Sequence, residues 1–133
     1  MVPDKIVADA KAKRRILVVD DTRNFPFAPD TDGTTVRTSK AATDFLGKET
    51  EVHVPLDELW LDFDLGFGDT EHQGDETTMP IVYYLAELAY YGSPYPVNKI
   101  FIHTSNPVGR AAMGLTLRHF GYDVEDVEAH FGV

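Results

Sequence analysis

The chain contains no cysteine. Disulfides, zinc–thiolate centres and thiol nucleophiles are therefore excluded, and a reducing compartment suits the composition. It also lacks any apolar run close to the roughly 20 residues that a membrane-spanning helix needs. The first fifteen residues are polar and carry Lys5, Lys11, Lys13, Arg14 and Arg15, without the apolar core of a signal peptide. A soluble, cytoplasmic protein with no membrane partner is expected. Positive charge is scarce: 12 Lys and Arg stand against 22 Asp and Glu, for a net charge of −10. Such a surface repels phosphate backbones, so duplex DNA is not an expected partner. Residues 56–76 hold no lysine or arginine, only eight acids: Asp57, Glu58, Asp62, Asp64, Asp69, Glu71, Asp75 and Glu76. Those after Asp64 are mostly what a solvated loop needs. Internal repeats and low-complexity tracts are absent too.

What remains is a chain of 133 residues, read as one domain with residues 1–14 as a lead-in segment. A domain of this size buries about two-thirds of its unfolded surface without needing staples. Ile16-Leu17-Val18-Val19 reads as a buried strand that ends in Asp20-Asp21. Residues 22–33, with Asn24, Pro26, Pro29, Asp30, Asp32 and Gly33, read as loop. A weaker strand over Thr34–Thr38 follows, then a helix capped by Ser39 with Ala42, Phe45 and Leu46 on one face. A third strand runs from Leu56 to Asp62, and a glycine-rich acidic loop reaches Glu76.

Thr77 or Thr78 caps a second helix that tolerates Pro80 in its first turn and ends at Gly92. Its apolar face is Ile81 or Val82, Leu85, Leu88 and Ala89. Lys99–Ile102 is a fourth strand, closing on His103-Thr104-Ser105. Asn106-Pro107 starts a third helix whose inner face is expected at Val108, Ala111, Ala112 and Leu115. A last short strand begins at Tyr122. Strands alternating with helices imply an α/β fold with a mostly parallel sheet and right-handed crossovers. The first connection is the anomaly, since it is long enough to cross over but has no helical pattern.

In a parallel sheet the strand ends share one edge, and ligands bind there. Asp20, Asp21, Asp62 and Asp64 therefore converge as candidate metal ligands. Clustered carboxylates repel one another unless a cation sits between them, and an all-oxygen set suits magnesium or manganese. Ser105, Asn106 and the amides opening the third helix form an anion site, with Thr104 beside them and Arg110 one turn in. His103 is a candidate general acid or base in such company. The competing reading makes Asn106 a plain helix cap and His103 a buried structural histidine. His53, His72, His119 and His130 lack comparable neighbours.

Ile16–Asp21, Leu61-Asp62 and Thr104 at successive strand ends resemble the receiver domain of response regulators. That resemblance implies a three-layer, flavodoxin-like five-stranded sheet of order 2-1-3-4-5 with magnesium on the acid pair. Two features depart from it. Receivers carry a lysine after the fifth strand, but no lysine follows Lys99 here, and Asn24-Phe25-Pro26 stands where a first helix would begin.

A closer likeness is to the cyclic-phosphate processing receiver-like domains, frequent in bacteria and their viruses. It rests on Asp20-Asp21-Thr22-Arg23-Asn24-Phe25-Pro26, Leu59–Gly66, Met79-Pro80 and His103–Gly109. Phe63 stands where many relatives have histidine. The likeness implies a metal-dependent phosphoesterase acting on 2′,3′-cyclic RNA ends or cyclic nucleotides. Asp20, Asp21, Asp62 and Asp64 would hold the metal, Thr104, Ser105, Asn106 and Arg110 the phosphate, and His103 would protonate the leaving ribose oxygen. The alternatives are a signalling module with Asp62 as phosphoacceptor and Thr104 as switch, or an inert site on an acidic interaction surface. Tyr83, Tyr84, Tyr90, Tyr91 and Tyr95 gather around the second helix as packing, with a homodimer patch as the other option.

Overall fold

The computed structural model describes residues 13–66 and 76–127. Most of the lead-in, the middle of the acidic loop with His72, and the tail with His130 lie outside the described residues. No described helix is long and apolar enough to cross a membrane.

Five strands form one parallel sheet: β1 (Arg14–Val19), β2 (Thr31–Val36), β3 (Leu56–Leu61), β4 (Val97–Ile102) and β5 (Val124–Asp126). Their order is β2-β1-β3-β4-β5, and every adjacent pair is parallel. β1 is an interior strand between β2 and β3, and Ile16, Leu17, Val18 and Val19 are at most 1% exposed. An unbroken apolar run is what burial on both faces requires.

Side chains alternate across the sheet. Leu17, Val19, Leu59, Leu61, Ile100 and Ile102 share one core cluster with residues from all three helices. These are α1 (Ser39–Phe45), α2 (Met79–Tyr90) and α3 (Pro107–His119). α1 packs on α2 and α2 on α3, forming a row over that face. Ala42 comes from α1 and Leu46 from its C-cap, Ile81, Val82 and Leu85 from α2, Met113 and Leu117 from α3.

The opposite face presents Trp60 and Phe101, stacked with centroids 4.3 Å apart. Here the β1–β2 segment takes the place of a helix. Phe25 meets Trp60 at 5.1 Å and Phe27 at 4.9 Å. Phe27 in turn lies directly on Gly33 of β2, where a Cβ would come within 2.1 Å of its ring. The expected missing helix is thus replaced by an aromatic layer laid on the sheet.

Several boundaries differ from expectation. β2 starts at Thr31, inside the stretch read as loop. Its Thr, Asp and Gly residues signal a turn locally, but pairing in register from Arg14↔Thr31 to Val19↔Val36 overrides that preference. Thr38, not Ser39, caps α1, its hydroxyl accepting from the Ala41 N–H at 3.1 Å. Ser39 is instead tied to the start of α2, through the Glu76 carboxylate and the Thr77 carbonyl.

The inner face of α3 is a larger correction. Val108 and Leu115 are 78% and 71% exposed, and Ala111 is exposed as well. The buried residues are Gly109, Met113, Gly114 and Leu117. Met113 and Leu117 enter the core, and Gly109 lets the first turn approach Phe63. Apolar spacing cannot register a glycine. Of the tyrosines, Tyr84 and Tyr95 are core, while Tyr83, Tyr90 and Tyr91 are exposed.

Candidate metal and phosphate site

Sheet register assembles the site. Val19, Leu61 and Ile102 are aligned across β1, β3 and β4. The next residue on each strand is Asp20, Asp62 and His103. The ladder continues through them: the Asp62 N–H donates to the Val19 carbonyl and the His103 N–H to the Leu61 carbonyl, both at 3.0 Å. By alternation these three side chains rise on the aromatic face, beneath the β1–β2 segment.

Carboxylate oxygens of Asp20, Asp21 and Asp62 lie within 4.8 Å of one another. Asp20 is fully buried. Its Oδ1 accepts from the Thr22 N–H at 3.0 Å and the Arg23 N–H at 2.9 Å. Its Oδ2 is buried without a hydrogen-bond donor. Arg23 Nη1 lies 3.7 Å from it and His103 Nδ1 3.8 Å. A buried carboxylate oxygen left without a donor costs about 1–3 kcal/mol or more. A hard cation beside it would offset that cost, so the donor set fits magnesium or manganese.

Asp62 is pushed up to about 6, first by burial and then by the Asp20 charge, against the Phe63 N–H that donates to it at 2.7 Å. Thr104 also hydrogen-bonds Asp62 and so favours its ionised form. Asp21 is raised as well, chiefly by burial and then by Asp20, against a backbone hydrogen bond. Gly66, at φ +63°, runs against Asp21, and a Cβ there would lie 2.2 Å from its Oδ2. Only glycine gives both that backbone and that approach.

These shifts set a pH dependence. Asp62 must lose its proton to bind a cation, and it holds that proton up to about pH 6. Apparent affinity for Mg2+ is therefore expected to be flat above pH 7 and to fall by up to about tenfold per unit below pH 6. Calorimetric titration with MgCl2 at a series of pH values checks this; a flat profile down to pH 5 would contradict it.

The remaining expected residues are placed differently. Asp64 is exposed, pairs with Thr77 as an isolated bridge and accepts from Asn106 Nδ2 at 3.2 Å. It is not part of the three-carboxylate group. Asn106 is a helix cap, its Oδ1 accepting from the Gly109 N–H at 2.9 Å. Arg110 folds back and donates to the Thr104 carbonyl. Thr104 is buried, its hydroxyl accepting from the Asn106 N–H at 3.1 Å. Ser105 is exposed. The four residues expected to hold phosphate thus lie at one corner, where Asn106 and Arg110 are engaged in holding its shape.

His103 is fully buried. Burial lowers it to about 4, against the pull of Asp20 and a backbone hydrogen bond at Trp60 and with Arg23 pushing the same way. A neutral, enclosed imidazole beside Asp20 has a different place from the one a solvent-facing acid needs. Phe63 lies on the first turn of α3, where a Cβ on Gly109 would sit 2.3 Å from its ring.

Sequence reasoning gave no role to three further residues: Gly66, Arg23 and Arg37. Arg37 clamps the start of the β1–β2 segment by donating to the Asp20 carbonyl at 3.1 Å, the Arg23 carbonyl at 2.7 Å and Asn24 Oδ1 at 2.7 Å. Arg23 stood in the motif Asp20–Pro26, and three residues after Asp20 its side chain turns back to that carboxylate.

The sequence profile of the cyclic-phosphate processing receiver domain matches residues 15–119, from the start of the first strand's apolar run to the end of α3. The chain belongs to that family. Comparisons with curated proteins and with solved structures returned no match. The family assignment agrees with the 2-1-3-4-5 sheet and connects this receiver domain to cyclic-phosphate processing.

Proposed function

We propose that this receiver domain is a metal-dependent phosphoesterase that opens cyclic phosphates, such as 2′,3′-cyclic RNA ends or free cyclic nucleotides. The observation that carries the reading is the buried, donor-less Oδ2 of Asp20 beside Asp21 and Asp62. Asp20, Asp21 and Asp62 would hold a magnesium or manganese ion. When bound, such an ion lowers the pKa of a water and offsets charge on phosphoryl oxygens.

The chain's own residues do the positioning. The Thr22 and Arg23 amides fix one oxygen of Asp20 and leave the other for a ligand. Thr104 and the Phe63 amide orient Asp62. Ser105, exposed at the mouth of α3, is left to meet an anion. His103, neutral and enclosed, supports Asp20 from behind and acts as a positioning residue.

The test is incubation with 2′,3′-cyclic AMP and Mg2+ or Mn2+, followed by 31P NMR. Conversion to a 2′- or 3′-monophosphate, blocked by EDTA, is expected. No conversion with any divalent metal would overturn the reading. A second reading has one observation in its favour, the Thr104 hydrogen bond to Asp62, which also suits a phospho-accepting carboxylate with a switch threonine. The absence of a lysine after Lys99 weighs against it. Beryllofluoride binding with a conformational change would favour it.

A further inference from the structure

We propose that Arg23 is the residue that takes the substrate's phosphoryl group, supplying from the β1–β2 segment the cation that the last strand lacks. The proposal rests on the phosphoesterase reading and names a recognition element that the family likeness did not assign.

The cations near this edge are few. Arg110 donates through Nη2 to the Thr104 carbonyl, although its Nε is buried without an acceptor, and Arg118 is engaged with the Val124 carbonyl and Asp126. Arg37 makes three hydrogen bonds to the β1–β2 segment. Lys99 pairs with Asp123 and Glu125. Arg14 and Arg15 lie at the opposite end of β1, with Glu58 and Asp32.

Arg23 is set apart by its place against the acid cluster. Its Nη1 is buried and has no hydrogen-bond acceptor, and its closest charge is Asp20 Oδ2 at 3.7 Å. That is an ion pair at a distance too long for a hydrogen bond. About a third of the side chain (35%) is exposed, so the guanidinium spans from the acid cluster to solvent. Its charge acts on Asp21, Asp62 and His103 alike, which places it centrally among the groups of the site.

The backbone of Arg23 is fixed on both sides. Its N–H donates to Asp20 Oδ1 at 2.9 Å, and its carbonyl accepts from Arg37 Nη1 at 2.7 Å. A planar fork held this firmly but left without an acceptor is suited to a ligand with paired oxygens. A phosphoryl group lying against the carboxylates offers them. Ordinary charge neutralisation of Asp20 is the competing explanation, and it predicts different behaviour.

The experiment compares the full chain with Arg23→Gln and Arg23→Lys. Three quantities are read in each: the KM for 2′,3′-cyclic AMP with Mg2+, the affinity for inorganic phosphate in the presence of Mg2+, and the affinity for Mg2+ alone. Arg23→Gln is expected to raise KM and weaken phosphate by roughly tenfold or more, the scale of one charge-assisted hydrogen bond. Mg2+ affinity should stay level or tighten, because a like charge has left, and Arg23→Lys should recover part of the loss. Unchanged phosphate affinity and KM, with only Mg2+ affinity altered, would overturn the proposal and leave Arg23 as a counter-charge. Wild-type protein that binds phosphate through Arg23 yet turns over no cyclic phosphate would uphold the anion site while removing the phosphoesterase reading. Wild-type protein that does neither would remove both.

Discussion

Asp62→Asn is expected to abolish Mg2+ binding and all cation-dependent turnover, while making the cation-free fold more stable than wild type at pH 7.5. Three carboxylates lie within 4.8 Å of one another, and one is fully buried. Like charges at that separation disfavour ionisation, which adds to the burial that raises Asp62 to about 6. An amide keeps an oxygen for the Phe63 N–H and removes the charge. In wild type, Mg2+ at ten times its Kd would add about 1.4 kcal/mol, a shift of a few degrees in Tm. In Asp62→Asn that shift should vanish.

The pH dependence separates the two buried titrating groups. Asp62 binds its proton more tightly in the folded state, so it adds stability as pH falls from about 6 towards 4. His103, lowered from 6.5 to about 4, does the opposite: below pH 6.5 the unfolded chain takes a proton that the folded one refuses. In cation-free wild type the two partly cancel. In Asp62→Asn the loss from His103 is opposed by the raised Asp21 but no longer by Asp62, and stability should fall more steeply than in wild type as pH drops from 6.5 to 4. Thermal melts with and without Mg2+ over that range check both statements. A retained Mg2+ shift in Asp62→Asn would show that the carboxylates do not form the site.

Trp60→Ala is expected to cost about 3 kcal/mol of folding stability, the lower end of large aromatic truncations because Trp60 is only partly buried. Trp60 stacks on Phe101, contacts Phe25 and hydrogen-bonds Glu58 through Nε1 at 2.9 Å. It is the middle of the layer that replaces a helix. The effect should not stop at stability. The segment that Phe25 anchors also carries the Thr22 and Arg23 amides that hold Asp20, so Mg2+ affinity should fall with it. Trp60→Phe should recover most of both losses. Trp60 is the chain's single tryptophan, so urea unfolding must be followed by circular dichroism rather than fluorescence. A loss below about 1 kcal/mol would show that the aromatic layer is peripheral, since ordinary surface changes stay within about half of that.

The strand ends were legible because apolar runs stop at acids or a histidine, and a parallel sheet places such ends on one edge. Asp20, Asp62 and His103 follow from that rule alone. Asp64 did not, although it shares parity with Asp62. Alternation holds only while the ladder continues, and beyond Asp62 the chain turns to pair Asp64 with Thr77. The face of α3 was misread because Gly109 makes part of its contact, and glycine carries no hydrophobic signal. Gly66 was beyond local reading, since it meets Asp21 from the segment after β3, whereas Arg23 lies only three residues after Asp20 and turns back to it locally. The missing first helix was visible in Asn24-Phe25-Pro26. Its substitute was not, because the packing of Phe25 and Phe27 depends on Trp60 and Gly33 meeting them on the sheet.

The most direct measurement is a crystal structure with Mn2+ and inorganic phosphate, read by anomalous scattering from the metal. The account predicts one strong peak in contact with Asp20, Asp21 and Asp62, and a phosphate within hydrogen-bond distance of Arg23. A peak away from these carboxylates, or none at millimolar Mn2+ and neutral pH, would contradict it.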